Sequence, residues 1–294
     1  MIGTYPIVTF DTSVHNRLVE DGRLSEPVLA GLKSGLFLRF AGLAVEELVS
    51  CPDPAKRAAC FAYCGRLQDG PNDCIYPHNE LLKLLVTAHF QNPAAFDWKI
   101  VNVRAWKYER GIRQRELTGD EQLSAQQRQE QFKQAKEYKQ IFSQLRPKLE
   151  KVFVAHGEAP PPTFRQAIVR LQSGEGNLIW AMGKLLYDRA AQTDASKATI
   201  KEFMDVCPPF RALIYAILMS WYDISVRDRH SGEKFKAGRN DLFMSVYLPY
   251  CDRFVTAEKN GEQEKCLREI AAVACLETEI LSYDDFCQSF LVTA

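Results

Sequence analysis

Two apolar runs stand at opposite ends of this chain, and each stops on an acid. Tyr5 to Phe10 ends in Asp11-Thr12-Ser13, and Arg253 to Val255 runs through Thr256 to Glu258. Both read as buried strands next to helical patterns. A chain that alternates strand and helix at both of its ends calls for one parallel sheet with helices on both faces. Such a sheet forms only if the two ends fold back together.

Taken in order, a strand over about 5 to 10 leads into a helix start in which Thr12 or Ser13 serves as N-cap. A short helix over Glu26 to Lys33, a strand within Gly35 to Leu43, a helix over Ala44 to Ser50 bent off by Pro52 and Pro54, and a helix over Ala55 to Leu67 follow. Near the other end, a helix opens at Asp241 and stops at Pro249; strand 253 to 255, helix 261 to 276 and strand 279 to 281 come after it. Residues 1–68 and 239–294 are therefore predicted to form a discontinuous α/β domain, and 69–238 an all-helical insertion. Within that insertion helical patterns cover Asn79 to Phe90, Phe96 to Glu109, Glu121 to Phe153, Phe164 to Arg189, Ala198 to Met204 and Arg211 to Val226. The third carries an apolar stripe at Phe132, Ala135, Tyr138, Phe142, Leu145, Leu149 and Val152, with polar residues between. Gly232 to Gly238 reads as a polar hinge.

Charge balance narrows the function classes. Lys plus Arg number 37 and Asp plus Glu number 37, so no overall basic field exists and any nucleic-acid contact needs a local patch. The 9 cysteines contain no C-x-x-C pair, which favours reduced, buried thiols over a disulfide frame or a zinc site. Met1 to Phe10 lacks the features of a secretory signal, and the longest apolar run, Phe210 to Tyr222, is too short to cross a bilayer. A cytoplasmic protein with no membrane partner is expected.

In open parallel sheets ligands bind outside the carboxyl ends of the strands. Asp11 and Glu258 each follow a strand, Asp241 opens a helix and Glu47 lies on one, so all four could face one crevice. Gathered carboxylates repel one another and raise each other's pKa unless a cation neutralises them. An acid set without His or Cys suits Mg²⁺ or Mn²⁺. Each acid also has a plainer reading: Asp11 and Asp241 as N-caps, Glu47 on a solvated helix face, Glu258 in a turn. Arg227, Arg229, His230, Lys234, Lys236 and Arg239 form a basic approach to Asp241, either a phosphate-holding loop or a solvated one. Arg104, Trp106, Lys107, Tyr108, Arg110, Arg113 and Arg115 interleave cations with aromatics as single-strand binders do, unless Trp106 is simply core. His15, four residues after Asp11, reads as a helix-surface residue. No phosphate-binding P-loop, nucleophile elbow or H-E-x-x-H helix is present.

Asp11-Thr12-Ser13 after a strand, Glu47-Leu48 on a helix, Asn240-Asp241 opening a helix and Phe254-Val255-Thr256-x-Glu258 together resemble the acidic motifs of PIN-domain nucleases. The resemblance covers the two end pieces. It implies a three-layer α/β/α fold with a parallel sheet, interrupted here by the large helical insertion. It also implies a metal-dependent endonuclease, a ribonuclease that hydrolyses phosphodiester bonds with a water activated by Mg²⁺ or Mn²⁺. Asp11, Glu47 and Asp241 match the three core metal-binding acids. Glu258 falls where the family usually has Asp, a departure that bears on the fourth ligand. Glu46 is the alternative to Glu47, whereas Asp252 precedes its strand and so lies at the wrong end. Many members are toxins of toxin-antitoxin pairs, which implies RNA or single-stranded DNA as substrate and an antitoxin or other protein as partner. Two other readings stay open. One is a catalytically silent PIN-like module that binds RNA or protein; the other is a helical interaction protein whose acids are only caps, favoured if the two ends fail to share a sheet.

Overall fold

The computed structural model describes residues 6–21, 26, 29–31, 35–67, 72–117, 121–153, 159–173, 178–227, 239–258 and 261–291 of the chain. Five strands, β1 (Ile7–Phe10), β2 (Phe37–Ala41), β3 (Asn72–Ile75), β4 (Arg253–Thr256) and β5 (Glu279–Ser282), form one sheet in the order β3-β2-β1-β4-β5. Every pairing is parallel. Thr9 lies opposite Phe254 and Phe10 opposite Val255, so the two ends of the chain do share a sheet. That pairing removes the reading of a purely helical interaction protein.

Side chains alternate across the sheet and so build a core on each face. Val8, Phe10, Leu38, Phe40 and Val255 point to one side. There they meet Val14 and Leu18 of α1 (Thr12–Glu20), Val45 and Leu48 of α2 (Gly42–Val49), Phe61 of α3 (Pro54–Leu67), and Phe286 near the end of the chain. Ala41, Ile75, Phe254 and Ile280 point to the other side. That face is covered by α4 (His78–Gln91), by the buried helix Pro208–Tyr222, by the 3₁₀ segment Met244–Tyr250 and by the helix Glu262–Val273. Helices on both faces of a parallel sheet make an α/β protein of the three-layer kind.

Two local features fix the geometry near the carboxyl edge. Gly42 opens α2 against the exit of β3, where a Cβ would meet the Pro77 nitrogen at 2.4 Å and the Ile75 carbonyl at 2.6 Å. Only glycine allows that approach. Arg57 of α3, itself buried, donates to Glu116 at 2.6 Å, to Glu121 at 2.5 Å and to the Cys51 carbonyl at 2.6 Å. This triad ties α3 to α5 (Trp106–Leu117) and α6 (Glu121–Phe153).

Several expectations need correction. β3 lies within the stretch 69–238 read as wholly helical; its sequence, Asn-Asp-Cys-Ile, begins with two residues that strands disfavour. The polar start is used by the pair Arg39–Asp73, with nitrogen-to-oxygen distances of 2.8 and 3.0 Å between neighbouring strands. Helices from that stretch share one continuous core with the sheet's second face, through residues such as Phe203, Phe210 and Leu218 beside Phe254 and Ile280. The helix expected over Phe96 to Glu109 begins only at Trp106, because Val103 to Ala105 run beside β3: Tyr76 N–H donates to Val103 O at 3.2 Å and Ala105 N–H to Cys74 O at 2.7 Å. Phe132, the first member of the apolar stripe on α6, is exposed. Pro249 does not end its helix but sits inside the 3₁₀ segment. Glu26 to Lys33 falls partly, and Gly232 to Gly238 wholly, outside the described residues.

None of the cysteines forms a disulfide, and all but Cys51 and Cys275 are buried. Among the described residues no single helix is long and apolar enough to cross a membrane; Lys197–Val206 and Pro208–Tyr222 would pass only as a pair bent by 106°.

Candidate metal centre at the carboxyl edge of the sheet

β1 leads to β2 and β3 on one side, and the chain returns to β4 on the other. The strand order therefore reverses between β1 and β4, and a crevice opens at their carboxyl ends. Asp11 leaves β1 there, held by its N–H on Val255 O at 3.1 Å. Its Oδ1 accepts from Val14 N–H at 2.9 Å and from the Ser13 hydroxyl at 2.7 Å, so it is the N-cap of α1. The plain reading of Asp11 thus holds, but it uses only one of the two oxygens. Oδ2 faces the Thr256 hydroxyl at 2.7 Å, across the strand junction. Ser13 completes the link by accepting from Ala257 N–H at 2.8 Å.

Thr256 has a single hydroxyl proton yet stands between two acceptors, Asp11 Oδ2 at 2.7 Å and Gln263 Oε1 at 2.6 Å. The Gln263 amide nitrogen is turned to the Asp241 carbonyl at 3.4 Å, which fixes Oε1 on Thr256. All of these groups are satisfied when Asp11 carries a proton and donates it to Thr256, which then donates to Gln263. The surroundings of Asp11 agree. Burial raises its carboxyl from 3.8 to about 6; the hydrogen bonds of Ser13, Thr256 and Val14 oppose the rise, and the charge of Glu258 adds to it.

The other acids reach this corner by different routes. Glu47 accepts the hydroxyl of Thr12, the residue after Asp11. Glu46, one position earlier, turns the other way: Tyr108 donates to it at 3.4 Å, and burial raises its carboxyl to about 7, with Glu80 adding to the rise. Between the two, Glu47 is the neighbour of Asp11. Glu258 accepts from Gln263 N–H at 3.2 Å, and burial, then the charge of Asp241, raises its carboxyl. Asp241 lies in the first turn of the helix Arg239–Phe243. Asp11 is thus coupled to Glu258, and Glu258 to Asp241, while Glu47 joins through Thr12.

Among the described residues no group of three or more His, Cys, Asp or Glu is set to hold a metal ion directly. A hydrated Mg²⁺ needs only one or two protein carboxylates and keeps several waters. The donor set here, in which Asp11 is crowded by the charge of Glu258 and keeps a lone pair on its buried Oδ2, fits that requirement.

The remaining sequence candidates fall as follows. Arg227 ends a π-helical turn, Asp223–Arg227, and Arg239 opens the helix of Asp241. Arg229, His230, Lys234 and Lys236 lie outside the described residues. His15 is not on the helix surface: it is buried between Phe10 and Phe40, stacked on Phe40 at 5.7 Å, and burial lowers its pKa to about 4. Asp252 accepts from Ile7 N–H at 2.7 Å at the amino ends of β1 and β4, opposite the crevice. Sequence reasoning missed Gln263, which joins Thr256, Glu258 and Asp241, because a glutamine in the first turn of a helix carries no distinguishing signal. It also missed Glu80, which recognition of β3 would have placed at the carboxyl edge. Comparison of the chain with protein-family models, with curated proteins and with solved structures found no match in any of the three.

Proposed function

We propose that the chain is a metal-dependent phosphodiesterase of the PIN type, acting on RNA. The observation that carries this reading is the hydrogen-bonded linkage, at the reversal of a parallel sheet, of Asp11 to Thr256 and through Gln263 to Glu258 and the Asp241 carbonyl, with Glu47 joined through Thr12. Asp11, Glu47, Asp241 and Glu258 are the residues that would hold Mg²⁺ or Mn²⁺, one or two of them directly and the others through its waters. The bound ion supplies an acidified water and positive charge for the phosphoryl oxygens. Ser13 and Val14 fix the orientation of Asp11 through Oδ1, which leaves Oδ2 for the ion. Thr256 is the partner of Oδ2: it donates to Gln263 while Asp11 holds a proton, and it can turn its own proton to Oδ2 once Asp11 ionises. Toxin-type action with an antitoxin partner and a cytoplasmic location belong to the same proposal.

A silent PIN-like binding module is the second reading. It is favoured by the caps: Asp11 receives Val14 N–H and Glu258 receives Gln263 N–H, so both acids have structural work without a metal. Incubation of purified protein with single-stranded RNA separates the two. The nuclease reading expects cleavage with Mn²⁺, none with a chelator, and none from Asp11→Asn. Intact RNA under all conditions, or equal cleavage by Asp11→Asn, overturns it.

A further inference from the structure

The outer edge of β3 carries two adjoining clefts, of about 670 and 540 Å³. Val101, Asn102 and Arg104 line both, so one short segment forms the ridge between them. That ridge is fixed by an antiparallel bridge between Ile75 and Arg104 and by the Tyr76–Val103 and Ala105–Cys74 hydrogen bonds. Both volumes lie in the range of pockets that enclose small organic ligands.

The first cleft includes Tyr76 and Glu80, at the carboxyl end of β3. β3 runs parallel to β2, β1 and β4, so its carboxyl end lies at the same edge of the sheet as Asp11, and this cleft opens at that edge. The second cleft, across the ridge, has a different chemistry. Its floor is the neutral pair Arg39–Asp73, with Tyr250 beside it. Lys99 and Arg104 stand on its walls, and Asp73 meets Arg104 only at 3.8 Å, with the Arg104 side chain 70% exposed. Trp106, also lining the cleft, is 52% exposed, with the Lys107 ammonium 5.4 Å from its ring centre. An exposed indole beside two cations, over a floor that is already neutral, suits a flat aromatic group joined to an anion. A protein partner would instead meet a centre depleted of charge.

We infer that this edge is a track for single-stranded nucleic acid, with one unpaired base stacked on Trp106 and its phosphate between Lys99 and Arg104. The inference rests on the nuclease reading for the destination of the strand, which passes by the first cleft to the acids. Stacking on an aromatic side chain is tolerant of sequence, whereas the cations follow the backbone. Trp106 is thus not core, and of the neighbours on its helix Tyr108 is engaged with Glu46 and Arg113 with Glu109 inside the protein.

The test is fluorescence anisotropy with the full chain and a fluorescein-labelled oligouridylate, in chelator so that cleavage is off. Trp106→Ala should weaken binding by about tenfold or more, the scale of one lost base stack, whereas Trp106→Phe should keep it. Lys99→Ala combined with Arg104→Ala should lower the slope of log affinity against log salt by about 1.4, as for two lost phosphate contacts on a single strand. Circular dichroism and the melting temperature should match wild type in each variant. No binding by wild type, binding unchanged in both variants, or displacement by free UMP at the same concentrations as by unlabelled oligomer overturns the inference. Asp11→Asn should still bind in this assay. Its loss of cleavage bears on the acid centre alone, so the two proposals fail separately.

Discussion

Replacing Asp11 by Asn should make the protein more stable at neutral pH while removing its response to metal. The sign follows from the raised pKa of the buried carboxyl. A group that titrates at about 6 when folded and at 3.8 otherwise keeps its proton preferentially in the folded state. Its stabilisation is fully present below 3.8, declines as pH rises, and is lost above about 6. At about 1.4 kcal/mol per pH unit the loss by pH 7 amounts to roughly 3 kcal/mol. Asn does not ionise, caps a helix as well as Asp does, and its amide donates to Thr256, which frees the Thr256 proton for Gln263. Urea unfolding of both proteins in chelator, followed by tryptophan fluorescence between pH 4 and 8, reads the difference. The variant should be close to wild type near pH 4 and up to about 3 kcal/mol more stable at pH 7. Added Mn²⁺ should then stabilise wild type, by about 2.7 kcal/mol at a hundred times the dissociation constant, and leave the variant unmoved. A stability difference that does not change with pH, or a variant less stable at pH 7, would refute the argument.

Glu47→Gln keeps an acceptor for Thr12, so its melting temperature should stay near that of wild type. Manganese affinity, read by calorimetry, should fall at least about tenfold, the scale of losing even an indirect partner of a metal. Glu46→Gln should increase stability at pH 8 but not at pH 4, because the carboxyl it replaces is raised by burial to about 7 and costs stability as it ionises; RNA cleavage should survive it. Glu116→Ala leaves the Arg57 guanidinium buried without its main partner and should cost about 3–5 kcal/mol in urea unfolding.

The sheet was legible where strands are apolar and short. β1, β2, β4 and β5 stand close to where Tyr5 to Phe10, Gly35 to Leu43, Arg253 to Val255 and Glu279 to Leu281 place them. β3 was not, because the residues at its start are chosen for a cross-strand ion pair with Arg39 and not for β propensity. That omission also hid Glu80 and the ridge at Val101 to Arg104, which exist only in relation to β3. Asp11, Glu47, Asp241 and Glu258 could be picked out because each begins or follows an element at the carboxyl edge. Their hydrogen bonds could not, since Thr256 meets Asp11 across 245 positions of the chain. His15 shows the limit of periodicity: the sequence puts it on a helix, but the core between Phe10 and Phe40 decides which face of that helix is inside.

A crystal soaked in Mn²⁺ and measured at the manganese edge tests the centre itself. The account predicts an anomalous peak at the carboxyl ends of β1 and β4, within ligand or single-water reach of Asp11 Oδ2 and of Glu258 or Asp241. A peak elsewhere, or none at a manganese concentration that supports RNA cleavage, would contradict it.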